Sequence, residues 1–208
     1  MRNLALTVWC LLPVGAGAYH FGPGQDLVLL DDAGRLMKEA AGHAQRAEEI
    51  AATEGDAAAS ALWAQAEEAW GEALGLLPEE RLHEQRQVRL ERAKAQMFLS
   101  QLPAANRDLH GLVDELALDD DADPALLRDA RKTLANSEYY MTWLMRLEGE
   151  GREKWEPRIE NARQHLKLVA QEEIAEEERG EVEEDLEAVI RLARMELSDL
   201  QGLPLPSQ

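Results

Sequence analysis

Two stretches of the chain carry residue types at spacings that metal sites use. Asp119, Asp121 and Asp123 alternate through an acidic run, as the first ligands of a calcium loop do. Such a loop needs glycine at its sixth position for a sharp turn and a bidentate glutamate at its twelfth. Those positions hold Pro124 and Ala130. The run is expected to be a solvated loop, with Asp123 capping a helix that Pro124 opens. Glu80-x-x-His83 matches one half of a helical di-iron motif, which needs a second copy and further glutamates facing one core. Standing alone, it reads as a surface pair. His20, His43, His110 and His165 lie far apart, and none forms His-x3-His or His-Glu-x-x-His. There is no Gly-x-Ser-x-Gly elbow and no phosphate-cradling glycine loop. Catalytic, cofactor-binding and metal-ligating residues are all expected to be none.

The single cysteine, Cys10, belongs to an address rather than to a site. A short basic start (Met1-Arg-Asn3) is followed by an apolar stretch from Leu4 to Val14 and then by Gly15-Ala-Gly-Ala18. A charged start, an apolar core and a small-x-small end make a secretory signal peptide over residues 1–18, with cleavage after Ala18. The apolar run falls short of the ~20 residues a membrane span needs. Cleavage leaves no thiol, so no disulfide, thiolate nucleophile or cysteine metal site is expected. The expected destination is periplasmic or secreted, with no stable membrane insertion afterwards.

Helices must position whatever chemistry remains. Residues 19–26, with Gly22, Pro23 and Gly24, read as a flexible leader. From 27 to 202 the spacing of apolar residues is helical throughout, and a single all-helical domain is expected, with a tail at 203–208. The first helix covers 27–52. Thr53–Asp56 breaks it, with Asp56 as the N-cap of a second helix over 57–77, which Pro78 ends. A third covers 80–101 and a fourth starts at Pro103. The fifth, 124–148, is apolar on more than one face (Leu127, Leu134, Tyr140, Trp143, Leu147), which marks a central helix. Gly149 and Gly151 break the chain, a sixth helix starts near Pro157, and a seventh covers 181–201. No segment alternates apolar and polar residues, so the fold class is all-α, an antiparallel array of about seven helices.

One stretch is more specific. Ala66-x3-Trp70-x2-Ala73-x4-Pro78 resembles the second half of a tetratricopeptide repeat. Small residues let two helices approach, the aromatic fills the groove between repeats, and proline ends the helix. Ala105-x3-Leu109-x2-Leu112 and Ala162-x3-Leu166-x2-Val169 echo it without the closing proline. The three starts are unevenly spaced, so right-handed tetratricopeptide-like stacking and an irregular helical bundle both remain open. The resemblance implies protein or peptide binding on a concave face.

Charge narrows the partners. The chain carries 22 Lys and Arg against 41 Asp and Glu, a formal −19, which opposes binding to nucleic acid or to anionic membrane. A protein or peptide partner, if selected by charge, is basic. Residues 171–187, with ten acidic side chains and one arginine, read as a solvated face, a mobile linker or a docking strip. Trp63, Trp70, Trp143 and Trp155 are candidate packing residues or partner anchors. With 17 arginines against 5 lysines, the composition fits a GC-rich bacterial genome. The expectation is an exported, non-enzymatic scaffold or adaptor of the bacterial envelope. The alternatives are a helical hydrolase using two carboxyl groups and a self-associating structural protein. N-terminal sequencing of protein recovered outside the cytoplasm should begin at Tyr19, and recovery of only a cytoplasmic form starting at Met1 would contradict the signal.

Overall fold

The computed structural model describes residues 23–203; the signal expected over 1–18, with Cys10 and the expected cut after Ala18, lies outside them, as do residues 19–22 and 204–208. The described residues form eight helices and no strand: α1 Pro23–Glu54, α2 Asp56–Leu76, α3 Leu82–Phe98, α4 Leu102–Leu118, α5 Pro124–Leu147, α6 Arg152–Ala170, α7 Glu176–Arg194 and the single turn α8 Leu197–Leu200. The array is all-α, as expected.

Short connections fold each helix back on its predecessor, and each helix packs on the next along the chain from α1 to α7. The first hairpin turns on one residue, Gly55, whose φ of 91° only glycine adopts at low cost. Its seam is built from alanine. Ala33, Ala40 and Ala47 on α1 and Ala59, Ala66 and Ala73 on α2 recur every seven residues, and all six are fully buried. Methyl side chains at heptad spacing hold one stripe in register along two antiparallel helices and let their axes approach closely. Asp119–Asp123 is a loop, and Asp123 Oδ1 accepts from Ala125 N–H at 2.9 Å, the cap expected from the Asp-Pro pair. At the far end of α5, Gly149 (φ 77°) closes a Schellman turn, in which Gly149 N–H donates to Arg146 and Glu150 N–H to Met145.

Three clusters make the core. The first joins α1, α2 and the near face of α3 (Trp63, Trp70, Val88). The second joins the other face of α3 to α4 and α5 (Leu90, Leu109, Leu134). The third joins α5 to α6, α7 and α8 (Trp143, Leu166, Val189, Leu200). Helices α3 and α5 each serve two clusters, which accounts for the two apolar faces seen in the sequence of α5. The three alanine-led echoes fall one each on α2, α4 and α6, and all nine of their named helical residues are buried.

Several boundaries differ from expectation. Residues 23–26, read as leader, are the first turn of α1, because Pro23 suits the first helical position. Asp56 is the first residue of α2 rather than its cap, since Gly55 takes the cap position. The third helix is shorter than 80–101; it starts at Leu82 and ends before Ser100, which adopts a left-handed φ of 59°. Pro157 lies inside α6, which starts at Arg152. The helical bond it forfeits belongs to the carbonyl of Glu153, in an exposed first turn that water reaches. The stretch 181–201 is two helices: α7 begins earlier, at Glu176, and extended backbone at Met195 (ψ 143°) separates it from α8. From Glu176 to Glu187 the acidic strip is part of this packed helix rather than a linker.

Trp70 is buried among α1, α2 and α3. Trp70→Ala should lower stability by about 3–5 kcal/mol, the usual result of emptying a large aromatic site. A denaturant titration with an unchanged midpoint would show that the first cluster does not depend on this ring.

Candidate functional site

The odd-numbered helices form one layer, in which α3 touches α5 and α5 touches α7. This layer surrounds a groove of about 320 Å³. Ala44 and Glu48 reach it from α1, Glu91 and Lys94 from α3, Asp129 and Thr133 from α5, and Asp185 from α7. Trp63 of α2 joins Phe98 of α3 in its wall, the rings stacked at 4.1 Å between centroids and 6° from parallel. Trp63 is only 3% exposed, yet its indole N–H has no acceptor among the described residues. A buried donor left without a partner is costly, and this one is sealed within the wall rather than turned to the groove's opening.

The groove's charge is predominantly negative, and its cations are already occupied. Lys94 Nζ lies 2.9 Å from Glu91 and 2.8 Å from Asp129. Burial works to lower the pKa of this ammonium, but the two carboxylates outweigh it and the net shift is upward. Lys132 lies 3.4 Å from Glu181 and 3.7 Å from Glu178. Asp185 makes no ion pair or side-chain hydrogen bond among the described residues. Desolvation pushes its carboxyl up from the ordinary value; Lys132 opposes the shift, and Glu181 and Glu184 add to it.

A second cavity of about 200 Å³ opens between α5 and α7 and shares Asn136 and Asp185 with the first. Tyr139 and Tyr140 line it, their rings edge to face at 5.8 Å and 86°. Burial pushes both phenols up from their ordinary values.

The four tryptophans do not form one site. Trp70 and Trp143 are buried within separate clusters. Trp63 is both a packing residue and part of the groove wall. Trp155 is half-buried and lies 4.8 Å beneath the guanidinium of Arg146. The acidic strip is partly spent inside the molecule. Glu172 accepts from Arg128 and Arg131, each at 3.2 Å, and Glu178 lies 3.2 Å from Arg128. These bonds fasten the α6–α7 connection and the first turn of α7 to α5.

Sequence reading missed a buried polar stripe on α5. Glu138, Thr142 and Arg146 recur every fourth residue and are all buried. Glu138, 1% exposed, meets His110 Nε2 at 2.6 Å through one oxygen and accepts from Arg158 at 3.0 Å through the other. Arg158 also donates to Asn106 Oδ1 at 3.2 Å, and Asn106 donates to Ser137 Oγ at 2.9 Å. Arg146 donates to the carbonyls of Leu192 and Met195 at the end of α7, groups that a helix terminus leaves unpaired. The i, i+4, i+8 spacing was visible in the sequence, but charged residues at that spacing ordinarily mark a solvated face. With both oxygens of Glu138 engaged and none of Asn106, His110, Glu138 or Arg158 lining either of these two cavities, the cluster joins α4, α5 and α6, and its edge at His110 and Arg158 meets solvent. Among the described residues no group of three or more His, Cys, Asp or Glu is placed to hold a metal ion, and no helix is long and apolar enough to cross a membrane.

The chain matches no protein-family profile, no curated protein and no solved structure.

Glu138→Ala should cost about 2–4 kcal/mol, less than a wholly buried pair because Arg158 and His110 keep part of their hydration. Thermal or denaturant unfolding checks it. An unchanged midpoint would mean that the network does not join the three helices.

Proposed function

We propose that the chain is an exported, non-enzymatic interaction module of the bacterial envelope that holds a segment of another protein in the groove across α1, α3, α5 and α7. In this reading α1/α2, α3/α4 and α5/α6 are three tetratricopeptide-like pairs, and α7 covers the last of them. The observation that carries it is the groove itself: an open channel walled by a stacked Trp63–Phe98 pair, with a net negative set of side chains above it. Aromatic walls supply apolar contact and carboxylates select the charge of the partner. The charged start, apolar run and small-residue end of residues 1–18 support delivery of the module to the periplasm or outside the cell.

A hydrolase would need two carboxyl groups free to act on one bond. Glu91 and Asp129 instead share the ammonium of Lys94, which favours the binding reading. A self-associating structural protein would use the same surface on a second copy, and sedimentation at increasing concentration separates the two.

Thr133 lines the groove and is only partly buried, so Thr133→Arg should fill the channel without disturbing the core. Dodecamer peptides selected from a displayed library on the full chain should share a motif and bind wild type at least about tenfold more tightly than the variant, as for loss of a central contact. The variant should keep its thermal midpoint. Absence of any enriched motif, or equal binding to both proteins, would overturn the reading.

A further inference from the structure

We propose that the cavity between α5 and α7 is a guanidinium pocket, which receives one arginine side chain of the segment bound in the groove. The proposal rests on the interaction reading above and names the chemistry of its partner.

The two walls are built alike. On α5, Asn136, Tyr139 and Tyr140 stand at i, i+3 and i+4, the positions that share one helical face. On α7, Asp185, Ala188 and Val189 repeat that spacing. One wall thus presents an amide and two aromatic rings. The other presents a carboxylate above two small apolar side chains, which leave the space between the walls open.

Asp185 lacks a cation of its own. Lys132, which acts on it electrostatically, is held by Glu178 and Glu181. Arg191, which acts on Tyr139, is not among the residues that line the cavity. Asn136 is exposed and makes no side-chain hydrogen bond among the described residues. The pocket thus offers a free carboxylate and a free amide oxygen beside two perpendicular rings. Bound cations of this shape gain both from the carboxylate and from the negative face of an aromatic ring.

Arginine fits better than lysine. Its planar guanidinium donates in a fork, so one edge can meet the Asp185 carboxylate while another meets the Asn136 oxygen. The flat face lies on tyrosine, and it sheds water more readily than an ammonium. Asp185 and Asn136 also border the main groove, so a segment whose arginine enters here can set a neighbouring apolar side chain against Trp63 and Phe98. The surrounding charge favours the same occupant, since Glu48, Glu91, Asp129 and Asp185 outnumber Lys94 and Lys132. The buried network of Glu138 cannot serve instead, because its carboxylate is already satisfied by His110 and Arg158.

The test uses the full chain labelled with nitrogen-15 and three small probes: the N-acetyl amides of arginine, lysine and citrulline. Citrulline keeps the shape of arginine without its charge. The arginine probe should shift backbone amides saturably at 135–140 and 185–189, and should bind about tenfold more tightly than citrulline. Asp185→Asn should weaken it at least about fivefold while leaving the thermal midpoint unchanged or slightly raised, because the residue is exposed and has no ion pair to lose among the described residues. Lysine should bind more weakly than arginine. No saturable shift, equal binding of citrulline, equal binding of lysine or indifference to Asp185→Asn would each overturn the pocket. Self-association that Asp185→Asn abolishes would show a second copy as the occupant and overturn it too. Selected peptides that occupy the groove without needing arginine would remove this proposal and leave the interaction reading standing; loss of all peptide binding at the groove would remove that reading first.

Discussion

Helices α3 and α5 must each bury two faces at once, and the rest of the array follows from that constraint. On α3, Val88 and Ala95 face the first cluster while Leu90, Ala93 and Met97 face the second. On α5, Leu126, Ala130 and Leu134 face the second and Ala135 and Trp143 the third. A helix apolar on two sides is unstable in water unless both are covered. One neighbour cannot cover both, so the chain continues as a series of helix pairs. Each cluster then draws on a few successive helices, the local pattern that repeat proteins use to fold without long-range contacts.

The polar stripe on α5 has a different role from the apolar faces. Burying Glu138 with Arg158 and His110 offers little net stability, because desolvation offsets most of the Coulomb gain. Its bonds are directional, however. Glu138, Asn106 and Ser137 are satisfied together only when α4, α5 and α6 meet in this arrangement. Arg146 does the same for the end of α7, holding the carbonyls of Leu192 and Met195 where the chain leaves the helix. These contacts fix where α7 lies, and α7 supplies the wall that carries Asp185.

Acidity is distributed unevenly in its effects. The glutamates at 172, 178 and 181 are consumed by Arg128, Arg131 and Lys132, so part of an apparently solvated strip acts as internal fastening. In the groove the cations are neutralised and a carboxylate is left over. A surplus charge kept at the edge of a cavity weakens the fold slightly and strengthens attraction for an oppositely charged group.

The sequence by itself determined the helices. Apolar spacing, the Asp123-Pro124 start, Pro78 and Gly149 mark ends that local backbone chemistry enforces whatever the neighbours do. The buried positions of Ala66, Trp70 and Ala73 and the central place of α5 were legible for the same reason, since a stripe of apolar residues must face inward. Among the boundaries that failed, two had two permissible readings: a proline placed inside α6 rather than at its start, and a continuous apolar stripe through 181–201 that breaks at Met195. Neither the groove nor the second cavity could be read in advance. Trp63 and Phe98 lie 35 residues apart and Asn136 and Asp185 49 apart, and nothing local brings either pair together. Only the tertiary structure decided which charges are spent and which are free, because that depends on which helices become neighbours. Glu178 meets a lysine and Asp185 does not, although both belong to the same acidic helix.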